Sequence, residues 1–248
     1  MIPQPETHLN TPDEIKQVRD LAFKINLDDK SCADFINQHF KNLNLLKWAA
    51  EINEILNKVS TPPRFKIIHF KDDPNPEMIF QFYDHLAEDD TEGLAFSRKV
   101  YWKNEELLVS HDFFRIPKKD RGKGISKAIL FSSLKQYINM GVNTILVHAA
   151  LTDGGYAWAR HFFTATNRLE MRNILSFARR KLSANEFGAV QRIYTNYYTN
   201  NPTGKAFPIY KWSEFEFMKS ILRGSEWHGS LNLKNQEQML NFISYVDQ

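Results

Sequence analysis

The sequence predicts an α/β protein of the α+β kind, with helices flanking a mixed sheet. Helix-period patterning fills the first sixty residues. Strand-period patterning replaces it after a double proline. A strand further on runs into a basic, glycine-containing loop that opens directly into a helix, and the whole order after the prolines reads β-α-β-β-α-β-α.

Each element has a local reason. Thr11 suits an N-cap, with Pro12 at the first helical position and Asp13 and Glu14 in the first turn. Ile15, Val18, Ala22 and Ile25 recur at helical spacing, as do Leu45, Ala49, Ile52, Leu56 and Val59. Thr61-Pro62-Pro63 stops that pattern and marks the boundary between a helical N-terminal extension (1–61) and a second region (62–248). Phe65 to Phe70 reads as a strand, and Pro76 through Phe82 as a short helix. Leu94 to Trp102 and Leu107 to Ile116 read as a hairpin turning at Lys103-Asn104. A helix from Gly124 to Asn139, a strand from Thr144 to Ala149 and a helix from Asp153 through Phe163 follow, with Asp153 as N-cap. Residues 168–181 and 184–198 read as helices, Phe207 to Tyr210 as a strand, Trp227 to Leu233 as a turn into a strand, and Asn235 to Tyr245 as a closing helix.

Composition narrows the function. At 248 residues, 42% apolar and 25% charged, the chain has ordinary globular proportions. No apolar run approaches the roughly 20 residues that span a bilayer. The start, Met-Ile-Pro-Gln-Pro-Glu-Thr, lacks the basic and apolar parts of a signal peptide, and the single Cys32 excludes a disulfide framework, so a cytoplasmic setting is expected. A net charge of +3, spread along the chain, makes no case for nucleic acid. The eight histidines fall at no metal-ligand spacing and no C-x-x-C occurs, so no metal site is expected. His148 reads as a core histidine.

The most informative segment runs from Phe114 to Leu130. A strand ending at Ile116, a basic loop and an immediate helix aim unpaired backbone N–H groups and the positive end of a helix dipole at one spot, which suits a phosphate. Gly122 and Gly124 let the backbone approach closely, and Arg121 and Lys123 add charge at the rim. The P-loop string G-x-x-x-x-G-K-[ST] is absent, and the dinucleotide fingerprint fails because Lys127 stands at its third glycine. Arg121-Gly122-Lys123-Gly124-Ile125-Ser126 fits R-x-x-G-x-[G/A] with Ser in the last place. There the chain resembles the GCN5-related N-acetyltransferases. Phe114 and Ile116 before the loop, Gly141 to Val147 after its helix, and Tyr156 to Phe163 beyond extend the resemblance over residues 65 to 165.

That resemblance implies a mostly antiparallel, twisted sheet and an acyl-coenzyme A, acetyl or longer, as co-substrate. The backbone of Phe114, Arg115 and Ile116 would pair with the pantetheine arm. The amides of Gly122, Lys123, Gly124, Ile125 and Ser126 would hold the pyrophosphate. The acceptor would be an amine of a small molecule, peptide or protein, deprotonated by a base on the strand. Asp112, placed by strand alternation on the face of Phe114 and Ile116, leads for that role, with His111 on the opposite face second. The family's tyrosine acid is replaced by Trp158, leaving Tyr156 two residues earlier as the candidate, and the glycine of its Gly-Phe ending is replaced by Phe162.

The helices before residue 61 and after 165 exceed the family's core and would serve an acceptor pocket, a peptide-docking surface or a homodimer contact. Two rivals stay open. One is a binding or regulatory module of this fold without catalysis, and the other is a transferase using an acyl donor other than coenzyme A.

Overall fold

The computed structural model describes residues 4–59, 65–84 and 93–246. Thr61-Pro62-Pro63, where the sequence puts its boundary, lies outside them. The architecture is mixed α/β with antiparallel pairing predominant, in two compact units: Met1–Thr144 with Ile243–Gln248, and Ile145–Phe242.

The first unit opens with α1 (Pro12–Asp20), where Thr11 is the N-cap that the sequence signals and also forms a reciprocal capping box with Glu14. A two-residue strand β1 (Lys24–Ile25), α2 (Asp29–His39) and α3 (Leu45–Leu56) follow. Four antiparallel strands come next: β2 (Phe65–Lys71), β3 (Glu77–Tyr83), β4 (Ala95–Lys103) and β5 (Glu106–Arg115), and β1 adds to β2 in parallel. The sequence reads Pro76–Phe82 as a helix, but the segment is β3. Met78, Phe80 and Phe82 alternate inward with a period of two, and both edges of the strand are paired. The β4–β5 turn centres on Asn104 and Glu105, both with positive φ, as a tight two-residue hairpin requires. Helix α4 (Ile125–Met140) closes this part of the chain.

One face of this sheet carries the core. Phe80 stacks on Trp48 of α3 at 4.4 Å, and Trp48 meets Tyr137 of α4 edge-on at 5.9 Å. Phe82 and Phe96 extend the aromatic layer. With Trp48, Phe80, Phe82 and Phe96 at most 1% exposed, burial of large rings anchors the helices to the strands.

In the second unit the strands β6 (Thr144–Ala149), β7 (Thr164–Ala165) and β8 (Trp227–Asn232) lie in the order β6-β8-β7, with β7 and β8 antiparallel. Helix α5 (Leu151–Arg160) starts earlier than the sequence indicates. Ala150 is its N-cap, and Asp153 sits in the first turn, 3.1 Å from the Arg223 guanidinium rather than capping. Helices α6 (Arg168–Lys181) and α7 (Ala184–Asn200) match expectation. Phe207–Tyr210 is not a strand. Phe207 makes one bridge to Ala165, then the chain turns into the short α8 (Tyr210–Ser213), because Pro208 lacks the N–H a ladder would need. A second short helix, α9 (Lys219–Leu222), precedes β8, and α10 (Gln236–Val246) follows it. No helix among the described residues is long and apolar enough to cross a membrane.

Candidate functional site

The loop after β5 has the geometry of an anion cradle. Gly122 has φ +80° and Gly124 φ +75°, in the left-handed region where a side chain is strained. A Cβ on either would meet no protein atom within 4 Å, so glycine is required by backbone conformation and the space before it is open. Gly124 is the N-cap of α4 and supplies no side-chain cap, while its carbonyl accepts the first helical bond from Ala128 at 3.0 Å. The first-turn amides of Ile125, Ser126 and Lys127 therefore lack intrahelical acceptors and keep the positive end of the dipole uncompensated. They border a groove of about 480 Å³ whose walls include Ile116, Arg121, Ser126, Lys127 and Tyr245.

Charge at this groove differs from the sequence reading in one respect. Lys123 does not stand free at the rim. Its ammonium lies 2.6 Å from the carboxylate of Asp120, which is wholly buried, so the two largely cancel. Arg121 is exposed, and its Nε donates to the Ile116 carbonyl at 3.2 Å, closing the loop on itself. Lys127 supplies the further cation, with its Nζ 4.6 Å from the Tyr245 ring centroid. Asp120, Lys127 and Tyr245 are site residues that the motif does not announce. Asp120 and Lys123 meet across a turn that no single helix spans, and Tyr245 comes from the far end of the chain, so neither contact has a sequence signal.

The strand feeding the loop is irregular. Ser97 pairs with Phe113 and Lys99 with Ser110, so His111 and Asp112 together oppose the single residue Arg98. This is a β-bulge, which bends a strand and re-aims its side chains. It overturns the alternation argument for both candidates, because His111 shares the face of Phe114 while Asp112 lies on the opposite face with Ser110. Phe114 pairs with Phe96, and their rings meet at 5.9 Å on the helix-covered face. His111 is on that same face, 2% exposed, with Nε2 3.2 Å from the Tyr137 hydroxyl. Asp112 is exposed and accepts a hydrogen bond from the Ser110 hydroxyl.

Arg98 fills the bend. It is fully buried, its Nη1 donates to the carbonyls of Ser97 (2.8 Å) and Phe113 (3.1 Å), and its guanidinium stacks over Phe96 and Phe114 at 4.2 and 5.1 Å. Burial pushes its pKa down to about 10, against the opposing pull of Tyr137 and Asp112. Burial also pushes the Tyr137 phenol up to about 12, although Arg98 beside it pulls the other way. Arg115 is turned to structure, its Nε bonded to the Gly93 carbonyl at 2.9 Å.

The remaining candidates lie in the second unit. Tyr156 is half-buried on α5. Trp158, two residues on, packs edge-on against Phe163 at 5.1 Å and tilts toward His161 at 5.4 Å. Phe162 adopts φ +64°, so the backbone there takes the left-handed form that the family's glycine would suit, with a phenylalanine in it. His148 is not a core histidine. It is 45% exposed, stacks on His228 at 4.4 Å and pairs with Glu226 at 2.7 Å. Among the described residues no group of three or more His, Cys, Asp or Glu side chains is arranged to hold a metal. Compared with known proteins, the chain matches no family model, no curated protein and no solved structure.

Proposed function

We propose that this chain is an acyl-coenzyme A-dependent N-acyltransferase with a fold of the GCN5-related type. The observation that carries the reading is the uncapped start of α4, with two left-handed glycines bordering an open groove that holds the Arg121 and Lys127 cations. A pyrophosphate supplies the acceptor oxygens that such amides lack. The motif Arg121 to Ser126 and the bent strand before it support coenzyme A over other phosphate ligands.

In this reading the amides of Gly122 to Ser126 bind the pyrophosphate, and the backbone of Phe114, Arg115 and Ile116 receives the pantetheine arm. A neutral amine attacks the thioester carbonyl, the C–N bond forms, the C–S bond breaks, and the thiolate leaves and takes a proton. Asp112 is the base in this proposal because it is open to solvent, whereas His111 is buried against Tyr137; the shared face with Phe114 that the sequence suggests is no part of the reading. Tyr156 is the candidate proton donor. Acetyl and longer acyl groups are both within the proposal, as are small-molecule, peptide and protein amines.

The test is release of free coenzyme A thiol from acetyl- and longer acyl-coenzyme A with a panel of amines. Amine-dependent release that falls in Asp112→Asn supports the reading. A second reading draws on Trp158, an indole packed among rings where the family keeps a proton donor. It is a module that binds coenzyme A without turnover, and it predicts binding with no thiol released by any amine.

A further inference from the structure

The second unit contains a cavity of about 240 Å³ that no function above uses. Its lining residues include the aromatics Phe162, Tyr197 and Tyr210, and Glu237 is the one charged residue among them. Each ring is held from behind. Tyr197 packs edge-on against Tyr198 and Phe207 at 4.9 and 5.5 Å, and its hydroxyl accepts from the Ala206 amide at 2.9 Å. Tyr210 lies 5.6 Å from Phe162. Gln238 donates to the Phe162 carbonyl at 3.3 Å and accepts from the Asn232 amide at 2.9 Å, fixing the backbone that carries the Phe162 ring.

The electrostatics exclude an anion. The cavity borders the start of α10, but Asn235 already caps it, its Oδ1 taking the Gln238 amide at 3.0 Å. Glu237 places a carboxylate in the first turn and has no ion-pair partner among the described residues. Its charge reaches the wall, because the Tyr210 phenol is pushed up by burial first and then by Glu237 and Glu214. Phe162 also lines this cavity, held at φ +64° by the hydrogen bonds that end α5, from the Phe162 amide to the Ala159 carbonyl at 3.1 Å and from the Phe163 amide to the Trp158 carbonyl at 3.4 Å.

We propose that this cavity binds an organic ammonium cation, held among the rings of Phe162, Tyr197 and Tyr210 and paired with the Glu237 carboxylate. Aromatic rings with a carboxylate attract an ammonium head through their negative faces and leave a neutral group of the same shape without that attraction. The inference stands on this cavity alone and does not depend on the acyl-donor reading.

The experiment titrates full-length protein with choline, with n-butylammonium and with 3,3-dimethylbutan-1-ol, the uncharged isostere of choline, following protein resonances by NMR. Saturable binding of either cation, about tenfold or more tighter than the isostere, is expected. Glu237→Gln, at an exposed position, and Phe162→Gly, which suits the left-handed backbone, should each weaken that cation about fivefold or more while keeping the folded spectrum. Neither cation exceeding the isostere, or both variants binding as the wild type does, would overturn the proposal.

Discussion

Gly124→Ala separates the cost of a strained backbone from the cost of a blocked site. Gly124 has φ +75° and a methyl group there would touch no protein atom within 4 Å, so the substitution strains the chain without a clash. A left-handed alanine costs about 1–2 kcal/mol. At roughly 2–4 °C per kcal/mol for a chain of this size, Tm should fall by about 2–8 °C. Gly141, at the other end of α4, provides a matched control, with φ +72° and equally empty space where an alanine methyl would sit. Gly141→Ala should lower Tm by the same amount. Only Gly124 borders the loop groove, so only Gly124→Ala puts a methyl where the phosphate would approach. Losing even one charge-assisted hydrogen bond, worth about 1.5–3 kcal/mol, weakens coenzyme A binding by roughly tenfold to a hundredfold. Differential scanning fluorimetry gives the Tm values and isothermal titration calorimetry with coenzyme A gives the affinities. Equal affinity in the two variants would refute the assignment of this loop as the cradle.

Two other perturbations follow from buried groups. Cys32 is wholly buried, and burial pushes its thiol from 9.0 up to about 12. Because the folded pKa lies above the unfolded one, its contribution is whole below pH 9 and drains away as pH rises toward 12. Between about pH 8 and 10.5, wild type should therefore lose roughly 2 kcal/mol more than Cys32→Ala, read from urea midpoints, and equal losses would contradict the burial argument. Removing the Arg98 guanidinium in Arg98→Met leaves the Ser97 and Phe113 carbonyls without their donor, which costs about 1–3 kcal/mol. Amide exchange at Phe113–Arg115 should then quicken more than in α3, and a uniform change across the chain would show that Arg98 does not pin the bulge.

Much of this fold is legible because its signals are local. The Thr11 N-cap, the Thr144–Ala149 strand and the loop-to-helix start at Gly124 depend on neighbours in sequence. Glu77–Tyr83 misleads because a short apolar run after a proline suits either period, and only pairing with β2 and β4 decides it. Phe207 earns a strand reading from its composition but has one bridge to make. The glycines and Arg121 of the site are visible as a motif, while the Asp120–Lys123 pair lowers the charge that the motif advertises. The bulge at His111-Asp112 is invisible in sequence, since a single extra residue shifts every later side chain to the other face without changing composition. Tyr245 reaches the groove through tertiary folding alone.

The most direct test of the central claim is a thermal-shift titration of the wild-type protein with coenzyme A. At about a hundred times its dissociation constant a ligand adds roughly 2.7 kcal/mol to the folded state, which should raise Tm by about 5–11 °C for a chain of this length. A saturable rise of that size, absent in Arg121→Glu/Gly124→Glu, is the expected result. No rise at millimolar coenzyme A or acyl-coenzyme A would contradict the account and leave the loop without its proposed ligand.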